Sequence, residues 1–246
     1  MKQSNIKTRG VRIRRGFTLT ELLVVILIIA SLAALAFLGT RKVQDMASKA
    51  NSIRNLSQLQ IANLAYATDH NGRCVPIRVN DDKGNPTRWF QDLKFLANLT
   101  GKSTEELEKN KTTPIPLDLL DPKVVRARKP LYDRVYTSYG MNDTGLPLGG
   151  DPDLSSAHNL SQMPDPSRSM AFATATDFRI TYNSRYKWDF KNPQDVKTSN
   201  GEIAYRHGKK VIAVYFDGHC GEISEADLEK IDKSGGKNHL FWKAKL

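Results

Sequence analysis

No proline interrupts the first 75 residues of this 246-residue chain, and only two cysteines, Cys74 and Cys220, occur in all of it. The first absence permits one long uninterrupted helix, since a proline removes a helical hydrogen bond and clashes with the preceding turn. The second excludes a disulfide-stapled scaffold, because two cysteines allow one bond at most. The patterns that would mark a hydrolase or a metalloenzyme are also missing: there is no Gly-x-Ser-x-Gly, no His-Glu-x-x-His and no paired-cysteine motif. Gly101-Lys102-Ser103-Thr104 mimics the end of a phosphate loop, but the glycine required five residues earlier is Leu96, and a helix rather than a strand precedes it. No repeat or low-complexity tract appears. Catalysis therefore finds little support in the sequence.

What is present is an apolar run of 22 residues, Phe17 to Leu38, in which Glu21 is the only charge, flanked by Arg14 and Arg15 before and Arg41 and Lys42 after. At ~1.5 Å per residue the run makes a helix of roughly 33 Å, enough to cross a hydrocarbon core of about 30 Å. An ionised glutamate inside such a segment costs on the order of 2.5–3.5 kcal/mol, so something must offset it. A cut after Gly16 would create an α-amino group at Phe17, four residues from Glu21, able to pair with it within one chain or between neighbours.

The stretch Arg15-Gly16-Phe17-Thr18-Leu19-Thr20-Glu21 resembles the processing site of type IV pilins and type II secretion pseudopilins. The resemblance implies that residues 1–16 are a leader removed by prepilin peptidase, that Phe17 is the methylated mature N-terminus, and that Glu21 is the assembly carboxylate. Two plainer readings compete. Ala34-Leu35-Ala36 resembles a signal-peptide cleavage site, but a signal core is usually 7–15 residues, and a glutamate at its mouth has no purpose there. A simple single-pass anchor would leave Glu21 as an interfacial residue. The family also commonly has proline at the position of Leu38, and its absence here leaves a stiffer helix that fits a minor pilin or pseudopilin better than a major one.

The formal charge of +11 is partly a topology signal, because Lys2, Lys7, Arg9, Arg12, Arg14 and Arg15 precede the run. Positive charge ahead of a span keeps the N-terminus cytoplasmic and directs the remainder outward. The mature chain keeps 31 basic against 26 acidic side chains, with no Lys/Arg run interleaved with aromatics, so nucleic acid finds little support as a partner. Lys123 to Lys129 reads as a solvated face.

Beyond Gly39 the helical pattern continues to about Thr68. Val43, Met46, Ala50, Ile53, Leu56, Ile61 and Leu64 recur at three- and four-residue spacing and form the expected packing stripe. Asp69-His70-Asn71-Gly72 supplies the breaker. The expected division is a leader (1–16), a membrane and assembly half of the helix (17–38), an amphipathic half (39–72) and one exported globular domain (73–246). Short helices are expected at Trp89 to Leu99 and Glu105 to Lys109, the latter opened by a Ser103-x-x-Glu106 capping box. A final helix is expected, capped by Ser224. Strands are expected near Val135 to Met141, then at Ser169 to Thr174, Arg185 to Phe190, Glu202 to Arg206, Val211 to Phe216 and His219 to Ile223. Asp217-Gly218 reads as a tight hairpin turn with both central residues at positive φ. The fold class is α+β, a long N-terminal helix packed on a C-terminal antiparallel sheet.

A second resemblance lies in that C-terminal region. His207, nine intervening residues and Asp217-Gly218 resemble the His-X9-Asp-Gly element of pilin-like proteins of planctomycete type, and Tyr66 to Gly72, Ser138-Tyr139-Gly140-Met141-Asn142 and Asp165-Pro166-Ser167 with Asp177 fit the same family. His207 and Asp217 are no dyad, since six residues of strand between them rise about 20 Å. Both read as structural, with His207 hydrogen-bonded and Asp217 holding its turn.

Cys74 and Cys220 fall in the exported part, where a disulfide persists. A bond would tie the sheet to the helix end, and two free buried thiols are the alternative. Asp151, Asp153 and Ser155 alternate as calcium ligands do, and some pseudopilins bind calcium in a C-terminal loop. Against this, position six is Ser156 rather than glycine and position twelve is Gln162.

The reading is a structural filament subunit without a cofactor, single-pass in the inner membrane, its C-terminal domain periplasmic or extracellular. Its partners are prepilin peptidase, sibling pilin or pseudopilin subunits and an inner-membrane assembly platform. The alternatives are a DNA-binding competence-type pilin and a single-pass anchored exported protein.

Overall fold

The computed structural model of the protein describes residues 17–80, 84–109, 115–126, 137–146, 157–182 and 203–243. The chain divides into two compact units, Met1–Gln44 and Asp45–Leu246. The expected strand at Arg185 to Phe190 lies outside the described residues.

Helix α1 runs Leu19–Asp69, as the lack of proline allows. It stops where Asn71 and Gly72 turn to positive φ, 55° and 79°, and the Gly72 amide donates back to the Ala67 carbonyl at 2.8 Å, closing the orphaned last turn.

Its buried face differs from the expected stripe. Val43, Met46, Ala50 and Ile61 are exposed and Ile53 and Leu64 half-buried, and of that set Leu56 alone is fully buried. The face turned into the second unit carries Ser48, Ser52, Asn55, Leu56, Leu59, Gln60, Ala62, Asn63, Tyr66 and Ala67. Its amides grip loop backbone. Asn55 Nδ2 donates to the carbonyls of Asp118 and Leu120 at 2.9 and 3.0 Å, and Gln60 Nε2 to Phe216 O at 2.8 Å. Asn63 Oδ1 accepts from the Val75 amide at 3.0 Å, while its Nδ2 donates to Gln60 Oε1 at 3.1 Å. Buried polar atoms with partners are tolerated where unpaired ones are not, so these residues read as solvent-facing while serving as the helix's inner side.

A five-stranded sheet has the order β5-β3-β4-β6-β7, built from β3 (Tyr139–Asn142), β4 (Met170–Thr174), β5 (Arg179–Ile180), β6 (Lys210–Tyr215) and β7 (Cys220–Ser224). It is antiparallel except at one edge, where β3 and β5 run parallel. The sheet is therefore mixed, which corrects the wholly antiparallel expectation. Among the described residues of the expected strand at Glu202 to Arg206, only an isolated bridge, Ala175 to Ile203, is made. A separate hairpin pairs β1 (Arg78–Asn80) with β2 (Pro86–Arg88).

Both faces of the sheet are covered, where the sequence pointed to one. Alternation along β6 sends Ile212 and Val214 to the core shared with Leu56 and Leu59 of α1, and Val211 and Ala213 to a second core. The first core centres on Trp89, edge-on to Phe90, Phe95 and Phe172 at 5.3–5.7 Å, with its indole N–H donating to Phe178 O at 2.7 Å. The second holds Met170, Ile223 and Leu228 with Phe241 and Trp242 from the end of the chain. Leu228 belongs to α5 (Glu225–Gly235), whose Ser224 capping box with Asp227 is formed.

Helix α2 (Leu93–Thr100) starts at Asp92, which accepts from the Phe95 amide, after a single 3₁₀ turn at Trp89–Gln91. In α3 (Thr104–Lys109) the Ser103 and Glu106 side chains cap each other's backbone as expected. Helix α4 (Pro122–Arg126) completes the described helices.

Candidate processing and assembly site

The N-terminal unit presents an exposed apolar cylinder: Leu19, Leu22 to Ile29, Leu32, Leu35 and Phe37 all lie open in the isolated chain. Among the described residues α1 is the one helix long and apolar enough to cross a membrane. Its hydroxyls are satisfied internally, Ser31 Oγ donating to Ile28 O at 2.8 Å and Thr40 Oγ1 to Phe37 O at 2.9 Å, as lipid requires of a polar group. At the far end of the run the Arg41 guanidinium lies 4.5 Å from the Phe37 ring centroid, an aromatic and a cation paired as at a membrane interface.

Glu21 is held by a capping box that the sequence reading missed. Thr18 donates from both its amide, at 2.9 Å, and its hydroxyl, at 2.8 Å, to Glu21 Oε2, and the Thr18 hydroxyl accepts from the Glu21 amide at 3.3 Å. The signal was present as Thr18-x-x-Glu21 at the head of a helix. The carboxylate thus sits in the first turn, at the positive end of the helix dipole, one turn from Phe17, which is 80% exposed. Thr18 uses only one carboxylate oxygen. Gly16 and the leader lie outside the described residues.

His207 and Asp217 are separate, as expected, and their partners lie elsewhere. Asp121, Arg206 and His207 form a buried cluster: Asp121 Oδ2 lies 3.3 Å from Arg206 Nη1 and 3.5 Å from His207 Nε2. The guanidinium also donates to the carbonyls of Thr137, Ala175 and Ser138 at 2.7, 2.7 and 3.2 Å. Burial alone would raise the Asp121 pKa, but His207 and Arg206 facing the carboxylate outweigh it and hold the value at about 2. The sequence reading missed α4, although Asp121-Pro122 carries a helix-start signal: Asp121 Oδ1 caps α4 by accepting from the Lys123 amide at 2.8 Å. The Asp121 bond to Arg206 carries no such signal, being 85 residues away.

Asp217 holds its turn through Oδ1, which accepts from the His219 amide at 3.1 Å and meets His219 Nδ1 at 2.7 Å. The turn itself differs from expectation. The Gly218 amide donates to Tyr215 O at 2.9 Å, and of Asp217 and Gly218 only Gly218 has positive φ, 97°. It is a longer hairpin loop ending in a glycine bulge. The tight turn with two central residues at positive φ is Gly208-Lys209, closed by paired backbone bonds between His207 and Lys210.

Cys74 and Cys220 are both free thiols, so the bond weighed between them is not made. Cys74 is held at the level of Asn63 through its neighbour Val75, whereas Cys220 Sγ lies 3.7 Å from Ile53 O. Ten residues along a helix separate those levels by about 15 Å, beyond the reach of a disulfide. Burial raises both thiols, Cys74 to about 12. Asp151, Asp153 and Ser155 lie outside the described residues, and among the described residues no group of three metal-ligating side chains converges.

Residues 11–37 match the prokaryotic N-terminal methylation motif. The stretch encloses the Gly16–Phe17 junction, Thr18 and Glu21, so the N-terminal segment is similar to that of type IV pilin-like and pseudopilin-like proteins. No curated protein and no solved structure matches the chain.

Proposed function

We propose that this chain is a structural subunit of a type IV pilus-like or type II secretion pseudopilus filament. The observation that carries the reading is the methylation motif over residues 11–37, coincident with an exposed apolar helix whose lone carboxylate is capped one turn from Phe17. Prepilin peptidase removes residues 1–16, and Phe17 becomes the methylated N-terminus. The helix holds the subunit in the inner membrane with residues from Asp45 onward outside the cytoplasm. It then packs against sibling subunits delivered by an assembly platform, with Glu21 neutralising a neighbour's terminal amine. The domain acts by shape, without catalysis and without a cofactor.

Intact-mass measurement of the membrane fraction tests the first step. A species beginning at N-methylated Phe17 is expected, and Gly16→Val should leave only the full-length chain. A start at Met1 in the unaltered protein, or one at Phe37, would overturn the reading.

A further inference from the structure

One face of the second unit gathers cations from three elements. Lys49 projects from α1, Lys123 and Arg126 from α4, Lys209 from the turn before β6 and Lys210 from the first position of β6. The elements are stitched together: Lys123 Nζ reaches Asp45 at 2.9 Å and donates to Arg206 O at 2.9 Å, Arg126 donates to the Ser48 hydroxyl, and Lys49 and Lys210 share the Glu222 carboxylate. Asp45 and Glu222, with Asp227 also facing Lys210, are thus the carboxylates set against five cations, leaving an excess of two positive charges. Arg126 and Lys209 make no ion pair among the described residues.

The placement of Lys209 is not what turn chemistry alone would choose. Its φ is 61°, a conformation that glycine or asparagine adopts more cheaply than lysine. The turn holds it rigidly by the paired His207–Lys210 backbone bonds, at 3.3 and 3.2 Å, and it is exposed at the tip. A strained position occupied by a long cation points to a use for that cation.

We propose that this face binds anionic phospholipid headgroups, an inference that rests on the membrane-anchored reading above. Asp45, the first residue of the unit, follows the end of the apolar run at Leu38 by seven residues, which span at most about 25 Å even fully extended. Headgroups are therefore supplied by the tether itself at high effective concentration, whereas a soluble polyanion must arrive from solution. Among the described residues from Asp45 onward no Phe, Tyr or Trp is exposed, so these offer charge without an aromatic platform for nucleic-acid bases. Before assembly, such contacts would hold the domain on the bilayer and release it as salt rises or as the subunit leaves the membrane.

The test uses the full chain in nanodiscs of phosphatidylcholine, with or without phosphatidylglycerol. N-hydroxysuccinimide acetate labels lysines, and mass spectrometry reads the acylation rate at Lys209 and Lys210 against Lys94 and Lys102 as internal references. Phosphatidylglycerol should slow Lys209 about fivefold, the effect of roughly one cation at a charged surface. About 0.5 M salt should restore the rate, and Arg126→Gln should reduce the protection. Equal rates in the two lipids, or protection indifferent to salt, would overturn the proposal while leaving the filament reading intact. Protection of Lys209 by duplex DNA on phosphatidylcholine discs, with none from phosphatidylglycerol, would also overturn it and return the face to a nucleic-acid partner. A chain that fails to enter discs would sink the anchored reading and this one with it.

Discussion

Gly140 occupies a point where the stretch Ala175 to Ile180, which ends in β5 beside β3, leaves no room. A Cβ there would meet the Asp177 carbonyl at 2.7 Å, Ile180 Cγ1 at 2.8 Å and Ala175 Cβ at 2.9 Å. Backbone cannot yield as a flexible side chain does, so Gly140→Ala should destabilise the domain by about 3 kcal/mol, the upper end of overpacking costs. Urea unfolding followed by tryptophan fluorescence checks this: an unchanged midpoint would mean the β5 edge moves freely. The residue was visible in Ser138-Tyr139-Gly140-Met141-Asn142, but its reason was not, because the clashing atoms lie dozens of residues later. Asn142 in the same stretch behaves likewise, its Nδ2 donating to the Met170 and Trp242 carbonyls at 3.1 and 2.9 Å. Residues acting within four positions of themselves, such as Ser103 and Ser224 at their caps, were legible because their partners were in view.

At the scale of the element, α1 separates two kinds of information. Its length was legible from missing proline and a terminal Asn-Gly; its orientation was not, because periodicity assigns polar residues to water, and Asn55, Gln60 and Asn63 are buried with satisfied amides. Paired substitutions distinguish the two faces. Asn63→Ala strands the Val75 amide in the core and should cost about 1–3 kcal/mol, whereas Ile61→Ala, on the exposed side, should change stability by less than about 0.5 kcal/mol. Chemical denaturation of both variants gives the answer, and a larger loss from Ile61→Ala would restore the hydrophobic stripe as the packing face. The sheet's second covered face was equally hidden, since a central strand buried on both sides reads as a plain apolar run.

The whole domain carries two carboxylates with opposite effects on its pH profile. Asp121, held at about 2, contributes stability above its unfolded pKa near 4 that is lost as pH falls from about 4 through 2. Burial and the Asp177 charge act against Arg179 to lift Asp143 to about 7, so it contributes stability fully present below about pH 4 and lost as pH rises through 7. Melting temperatures should therefore rise from pH 2 to 4, and Asp143→Asn should flatten the decline from pH 4 to 7; a variant with the parent slope would remove Asp143 from the account. The signal-bearing N-terminus was plain in the sequence because its chemistry is contiguous, while these charges meet only after folding. One feature joins distant stretches of the chain: Gln60 of α1 is bonded to Phe216, and Asn142 to Trp242. Both cores therefore close only when Trp242 is in place, because the second core contains it. A stretch of chain that stops short of Trp242 leaves the second core open, so the domain closes as one piece rather than in the order of its sequence.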